Sequence, residues 1–125
     1  MKQEYIGDYG ELCAARYLRE RGVRLIASKY RSRFGEIDLI LKDGACLVFV
    51  EVKTRSAGMI APPQEAVDAA KQRRLILTAS AYLAEKRIDP PCRFDVIEVF
   101  LSRSDAVERI DWLKNAFDAA EIGNI

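Results

Sequence analysis

The chain has 125 residues, half of them hydrophobic, and its 20 basic and 19 acidic residues give a net charge of +1. This length suits one domain with a buried core, and no apolar run approaches the roughly 20 residues of a membrane span. Histidine is absent, which excludes Ser-His-Asp and Cys-His catalysis and histidine zinc sites. The three cysteines are widely spaced, which argues against a disulfide framework. Any catalysis must therefore use carboxylates, lysine or a hard metal ion.

The chain as a whole, residues 1–125, reads as a single domain without repeats or linkers. Its first residues are polar and lack the apolar segment of a secretory signal. We therefore expect a cytoplasmic protein that does not bind membranes.

The first helix is predicted from Asp8-Tyr9-Gly10-Glu11, which is typical of a capping box. It should run to about Arg21 and stop at Gly22. Glu11 and Leu18 share one face at helical spacing, so Glu11 points toward whatever the helix packs against. A glutamate in a first turn also commonly serves the cap and the helix dipole, and the residues alone leave both roles open.

Positive charge is concentrated between residues 16 and 33, where seven basic residues accompany one acidic residue. The basic residues are Arg16, Arg19, Arg21, Arg24, Lys29, Arg31 and Arg33. Such an excess suits a phosphate backbone, and Arg31 is a candidate substrate-binding residue. The same residues can instead complement a helix C-terminus and cover solvated positions of a strand, which we predict over Val23–Tyr30.

Two antiparallel strands are predicted between Gly35 and Lys53. The first apolar run ends near Leu41, Lys42-Asp43-Gly44 carries an Asp-Gly turn signal, and the run Leu47–Val52 returns. This hairpin is the most strongly patterned part of the chain.

Charged side chains interrupt both strands of this hairpin. Because side chains alternate along a strand, Glu51 and Lys53 share one face, and antiparallel pairing can bring Asp38 near Glu51. A carboxylate inside so apolar a run is costly to desolvate unless something compensates it. A divalent cation would compensate it, and Mg²⁺ takes one or two carboxylates while leaving positions for water and phosphate oxygens.

Phosphodiester hydrolysis is the chemistry that this arrangement indicates. With Asp38 and Glu51 on Mg²⁺ or Mn²⁺, Lys53 is placed to orient or deprotonate a water, or to stabilise negative charge on a phosphate. An ordinary cross-strand salt bridge between Lys53 and one carboxylate explains the same residues without a metal, and the pattern alone leaves that alternative open.

The segment after this hairpin, 54–60, predicts a loop in which Arg55 is a candidate phosphate ligand. A second helix is predicted over about 62–86, opened by its Pro-Pro pair. Gln64 and Lys71 lie in its early turns, nearest to the strand end that carries the lysine. Both are candidates for substrate contacts.

The last third of the chain predicts a strand over Arg93–Leu101, a hairpin loop, and a strand over Val107–Trp112. The spacing of apolar residues in 113–122 predicts a short C-terminal helix. The resulting order is α-β-β-β-α-β-β, which predicts an α/β domain with a mixed β-sheet flanked by helices.

Several short motifs carry a resemblance to known proteins. They are Gly10-Glu11, Gly35–Ile40, Val48–Lys53 with Arg55, Ala66-Val67 with Lys71, and Arg93–Ile97. On these motifs the chain resembles the YraN-like family of small bacterial proteins over nearly its whole length. An Asp in one strand and Glu-x-Lys in the next are also similar to the PD-(D/E)XK nuclease superfamily, which includes restriction endonucleases and archaeal Holliday-junction resolvases. The chain departs from these patterns at Ile37, where the motif has Pro, and at Lys29, where we expect Asn.

This resemblance implies a restriction-endonuclease-like core and a metal-dependent nuclease. It implies catalytic roles for Asp38, Glu51 and Lys53, and it makes Glu11 a third catalytic acid and metal ligand. The expected reaction is hydrolysis of DNA phosphodiester bonds in repair or recombination, with branched DNA among the candidate substrates. An enzyme that cuts junctions needs two active sites, and hence a two-fold homodimer.

Two alternatives to an enzyme stay open. One is a nucleic-acid-binding module that keeps the nuclease fold without turnover. The other is a structural domain in which Asp38 and Lys53 form only a buried ion pair.

Overall fold

The computed structural model describes residues 3–57 and 67–119. Within them the chain forms two helices and five strands, and the predicted order is confirmed. The elements are α1 (Gln3–Glu20), β1 (Arg24–Ser32), β2 (Gly35–Asp43), β3 (Cys46–Ser56), α2 (Ala69–Lys86), β4 (Cys92–Leu101) and β5 (Val107–Phe117). In these parts of the chain, no helix is both long and apolar enough to cross a membrane.

One mixed sheet contains all five strands, in the order β1-β2-β3-β4-β5. Strands β3 and β4 run parallel, whereas the other neighbours are antiparallel. Parallel neighbours need a long crossover connection, which here contains α2. The predicted α/β class is therefore confirmed.

The two helices cover opposite faces of the sheet. Leu18 of α1 packs in one cluster with Val50 of β3, and Tyr82 of α2 packs in the other with Phe49. Neighbouring residues of β3 thus enter different clusters, as the alternation of strand side chains requires. By the same alternation Glu51 leaves the sheet on the face that α2 covers.

Helix α1 starts earlier than the sequence predicts. Asp8 lies inside the helix rather than at its cap, and its carboxylate accepts a hydrogen bond from Lys29 at 2.8 Å. The capping-box prediction is therefore wrong, because this acid serves a tertiary contact. The predicted stop is confirmed: Gly22 has a φ of +84°, and the N–H of Val23 donates to the carbonyl of Leu18 at 3.0 Å, as in a Schellman motif.

Helix α1 approaches β3 closely at Gly10. A Cβ at this position would overlap Oγ1 of Thr54, and it would lie 3.0 Å from the Thr54 Cβ and 3.1 Å from its Cγ2. Glycine permits this close approach, which places the following residue, Glu11, beside the sheet.

We expect Gly10→Ala to lower the free energy of unfolding by up to about 2 kcal/mol, because an overpacking cost of about 1–3 kcal/mol outweighs the roughly 1 kcal/mol that alanine gains in helix propensity. Urea unfolding would measure the change. Gly7→Ala is the matched control, since Gly7 lies in the same helix and a Cβ there meets nothing within 4 Å. Equal effects of the two substitutions would contradict this account of the contact.

Helix α2 begins at Ala69. Asp68 is its N-cap, and the Asp68 side chain accepts from the N–H of Lys71 at 2.8 Å. Val67 and Asp68 are not helical, so the prediction of one continuous helix over 62–86 is wrong at these two positions. The predicted start at the Pro-Pro pair lies outside the described residues.

The predicted C-terminal helix is wrong over 113–117, because β5 continues to Phe117. The Phe117 ring stacks on Phe94 with centroids 4.9 Å apart. The β4–β5 register shifts between Phe94 and Val96, and Asn115 has a φ of +51°. This irregularity breaks the two-residue period of the strand and leaves apolar residues at a spacing that resembles a helix. The remainder of the predicted helix, from residue 120, lies outside the described part of the chain.

Candidate functional site

Strands β2 and β3 separate at Asp38. Their register runs from Asp43 opposite Cys46 to Leu39 opposite Val50 and ends there. Beyond that point the N–H of Val52 donates to Oδ2 of Asp38 at 2.8 Å. The Asp38 carboxylate thus takes the place of the backbone hydrogen bonds between β2 and β3. It is held at the point where the two strands separate.

Asp38 and Glu51 line one polar cavity of about 250 Å³ beside α2. The other lining residues belong to β2 and α2: Gly35, Glu36, Lys71, Arg74 and Leu75. Glu51 is only 8% exposed, and its Oε1 lies 2.7 Å from Nζ of Lys71. The structure therefore brings two of the predicted metal ligands and one predicted substrate-binding residue together.

The pKa of the Asp38 carboxyl is raised from 3.8 to about 7, mainly by burial and then by the negative charge of Glu51. The hydrogen bond from Val52 opposes this shift, the charge of Glu11 adds to it, and the charge of Lys71 acts against it. A carboxyl of this kind holds its proton close to neutral pH, and a cation that binds the carboxylate would displace this proton into solvent. Strongly shifted groups in a cleft are typical of functional sites.

Lys53 follows Glu51 by two residues on β3 and therefore leaves the same face of the sheet. Arg55 is the next residue on that face, and its Nε lies 3.4 Å from Oε2 of Glu98 on β4. The loop predicted after Lys53 is wrong over 54–56, because β3 continues to Ser56 through pairing with β4. Arg55 is thus held on a strand, in one row with Glu51 and Lys53.

Glu11 sits apart from this cavity and is held by Lys29. The Lys29 Nζ lies 3.1 Å from Glu11 Oε1 and 2.8 Å from Asp8 Oδ1, and the hydrogen bonds to Asp8 and Glu11 raise the pKa of Lys29. Over residues 3–57 and 67–119, no three Asp, Glu, Cys or His side chains form a group that could hold a metal ion. The cavity therefore contains two of the three predicted acids, Asp38 and Glu51. Glu11 lies outside it and raises the pKa of Asp38 through its charge.

The other predicted substrate-binding residues have different surroundings. Arg31 forms an ion pair with Glu36, with 2.6 Å between Nε and Oε2, and Gln64 lies outside the described residues. Sequence reasoning missed Glu36 and Arg74 as walls of the cavity. The signals were present, since Glu36 shares a strand face with Asp38 and Arg74 lies one helical turn after Lys71.

Asp95 is a buried acid on the opposite face of the sheet. It pairs in register with Val50, and it is 1% exposed. Its carboxylate accepts hydrogen bonds from Nε1 of Trp112 at 2.9 Å, the N–H of Asn115 at 2.8 Å, and Nε of Arg93 at 3.1 Å. These contacts hold β5 at the point where its register with β4 shifts, so Asp95 has a structural role.

The fold and the site define a class: a small α/β protein whose mixed sheet presents two carboxylates and nearby cations where two strands separate. Residues 10–99 match the family described as Uncharacterised protein family UPF0102, and the chain belongs to this YraN-like family. The predicted site residues, from Glu11 to Lys71, all fall within the matched segment.

Curated relatives match over almost their whole length. A UPF0102 protein of Symbiobacterium thermophilum is 52% identical over 115 residues, which cover 91% of this chain and 97% of the relative. A UPF0102 protein of Methylobacillus flagellatus is 47% identical over 119 residues, which cover 95% and 100%. One from Nitrosomonas europaea is 44% identical over 112 residues, which cover 90% and 92%.

Proposed function

We propose that the protein is a metal-dependent nuclease of the PD-(D/E)XK superfamily, with a restriction-endonuclease-like core, that hydrolyses DNA phosphodiester bonds. The observation that carries this proposal is the cavity shared by Asp38 and Glu51. Lys53 leaves the same strand face as Glu51, so the three residue types needed for this chemistry lie on one side of the sheet.

The donors in this cavity fit a hard divalent ion. Two carboxylates without sulfur or imidazole suit Mg²⁺ or Mn²⁺, and the cavity volume of about 250 Å³ leaves room for water and a phosphate oxygen. The raised pKa of Asp38 indicates that the charge of this carboxylate is poorly compensated by its surroundings, which favours cation binding. Asp38 and Glu51 would hold the ion, with Glu11 as the further ligand that the resemblance implies.

The bound ion would supply Lewis acidity and a water of lowered pKa. Lys53 would orient or deprotonate this water, or stabilise the charge that develops on the phosphate. Lys71 and Arg74 line the cavity from α2, and Arg55 lies one step further along β3. These cations suit the phosphates that flank the scissile bond.

A second candidate function is a nucleic-acid-binding module that keeps the fold without turnover. The lysine contacts support it, because Glu51 and Glu11 are each neutralised by a lysine, at 2.7 and 3.1 Å. In such a module the cations would bind phosphate, and binding would survive EDTA.

The experiment that tests these functions is cleavage of a labelled panel of linear, flapped and four-way DNA in Mg²⁺ or Mn²⁺. We expect wild-type protein to cut at least one substrate, and Asp38→Ala and Lys53→Ala to lower the rate about a hundredfold or more. Lys114→Ala is the matched control for lysine, because Lys114 is an exposed residue of β5, with its Nζ 4.3 Å from the Trp112 ring centroid.

Cleavage that persists in both site variants would identify a contaminating nuclease. DNA binding that survives EDTA and Asp38→Ala, without cleavage in any metal, would support the binding module. A preference for four-way DNA would call for sedimentation analysis, because that substrate requires a two-fold homodimer.

A further inference from the structure

We propose that Lys71 is a positioning residue that occupies the cation position beside Glu51 while no divalent ion is bound, and that its ammonium moves to a substrate phosphate when Glu51 is taken by the ion. The first half of this inference concerns cation binding alone. The second half rests on the proposed nuclease function.

The contact itself is short and sheltered. Nζ of Lys71 lies 2.7 Å from Oε1 of Glu51, and the side chain of Glu51 is only 9% exposed whereas that of Lys71 is 38% exposed. An ion bound by Asp38 and Glu51 needs a carboxylate oxygen of Glu51 that already contacts the Lys71 ammonium. The two cations therefore compete for one carboxylate.

The backbone of Lys71 is fixed in α2, whereas the ammonium group of its side chain can change position. Its N–H donates to the Asp68 side chain at 2.8 Å in the first turn of α2, which fixes where the side chain starts. The four-carbon stem then carries a compact charge with three donors that can turn to another acceptor in the same cavity. A lysine displaced from Glu51 consequently remains within the site, where a phosphate would replace the lost carboxylate.

Arg74 provides an internal comparison. It lines the same cavity one turn further along α2, and it forms no ion pair with Glu51 in the described structure. A general effect of positive charge on cation binding should appear at both positions. A direct competition should appear only at Lys71.

The test measures Mn²⁺ affinity of the full chain by calorimetry, without DNA, for wild type, Lys71→Met, Lys71→Gln and Arg74→Met. We expect both Lys71 variants to bind Mn²⁺ about tenfold more tightly, which corresponds to about 1.4 kcal/mol. Arg74→Met should change the affinity by less than about threefold. Two Lys71 variants of different polarity keep the test valid if one of them folds poorly, which circular dichroism would detect.

The second half of the inference is that the Lys71 ammonium moves to a substrate phosphate. Fluorescence anisotropy with labelled DNA in Ca²⁺ tests it. We expect both Lys71 variants to bind DNA several-fold more weakly, opposite in sign to the change in Mn²⁺ affinity. A merely structural lysine would not produce changes of opposite sign.

An Mn²⁺ affinity that is unchanged or weaker in the Lys71 variants would overturn the inference. So would an equal gain in Arg74→Met, because the effect would then come from general charge. If wild type cut no DNA of the panel but the expected order of Mn²⁺ affinities held, the nuclease proposal would be refuted. The competition between Lys71 and the ion for Glu51 would then still stand. If no protein of the set bound Mn²⁺, both the proposed function and the competition would fail.

Discussion

Asp38→Asn is expected to make the metal-free protein more stable at pH 8, by about 2–4 kcal/mol, while it removes metal binding. The native carboxyl has a pKa of about 7 against an ordinary value of 3.8. It therefore retains its proton at pH values where the unfolded chain has released it. The stability contribution of this group is present at low pH and is lost as the pH rises from about 4 to about 7, by up to about 4 kcal/mol.

Urea unfolding of wild type and Asp38→Asn at pH 5 and pH 8 isolates this group, because other titrations are common to both proteins. The advantage of the variant should be about 2–3 kcal/mol larger at pH 8 than at pH 5. Addition of Mg²⁺ at pH 8 should then stabilise wild type and leave the variant unchanged, since only a protein that binds the ligand in its native state gains from it.

Glu36→Gln is the matched control for this experiment. Glu36 lies on the same strand and in the same cavity, but it is paired with Arg31, so its neutralisation should bring no gain. If Asp38→Asn were less stable than wild type at pH 8, Asp38 would belong to a stabilising ion pair. That result would favour the structural domain over the metal site.

Asp95→Asn is expected to lower the free energy of unfolding by about 3–5 kcal/mol. The Asp95 carboxylate accepts from Arg93, Trp112 and the N–H of Asn115, whereas an amide would turn donor hydrogens toward some of these donors. Breaking one member of a buried, charged network leaves its partners uncompensated, which is among the more costly single changes.

Asp111→Asn is the comparison, because Asp111 forms an exposed ion pair with Arg109 at 3.1 Å on the strand next to Asp95. It should cost less than about 1 kcal/mol. Urea unfolding would measure both changes, and Mn²⁺ binding of the folded Asp95 variant should match wild type. A stable Asp95→Asn protein with lost Mn²⁺ binding would give Asp95 a role in the site.

Much of the fold followed from local signals in the sequence. The Asp-Gly turn and the alternating runs predicted the β2–β3 hairpin, and Gly22 predicted the end of α1. The start of α1 and the length of β5 did not follow, because each depends on partners distant in sequence: Lys29 for Asp8, and Phe94 for Phe117.

The site divides in the same way. Strand alternation placed Glu51 and Lys53 together and brought Asp38 toward them, since these relations arise within one hairpin. The contact of Lys71 with Glu51 was not predicted. It depends on where α2 lies over the sheet, and Asp68 rather than the Pro-Pro pair sets the first turn that carries Lys71.

The parallel pairing of β3 with β4 has a consequence for the order of folding. Strands β1, β2 and β3 are joined by short turns, so their contacts are local and form early, whereas β4 must wait for closure of a long connection. Asp38 and Glu51 come from this early meander, but Lys71 arrives with the late crossover. A folding chain should therefore expose its two acids before their counter-charge is in place, and divalent ions should accelerate refolding of the wild type more than that of Asp38→Asn.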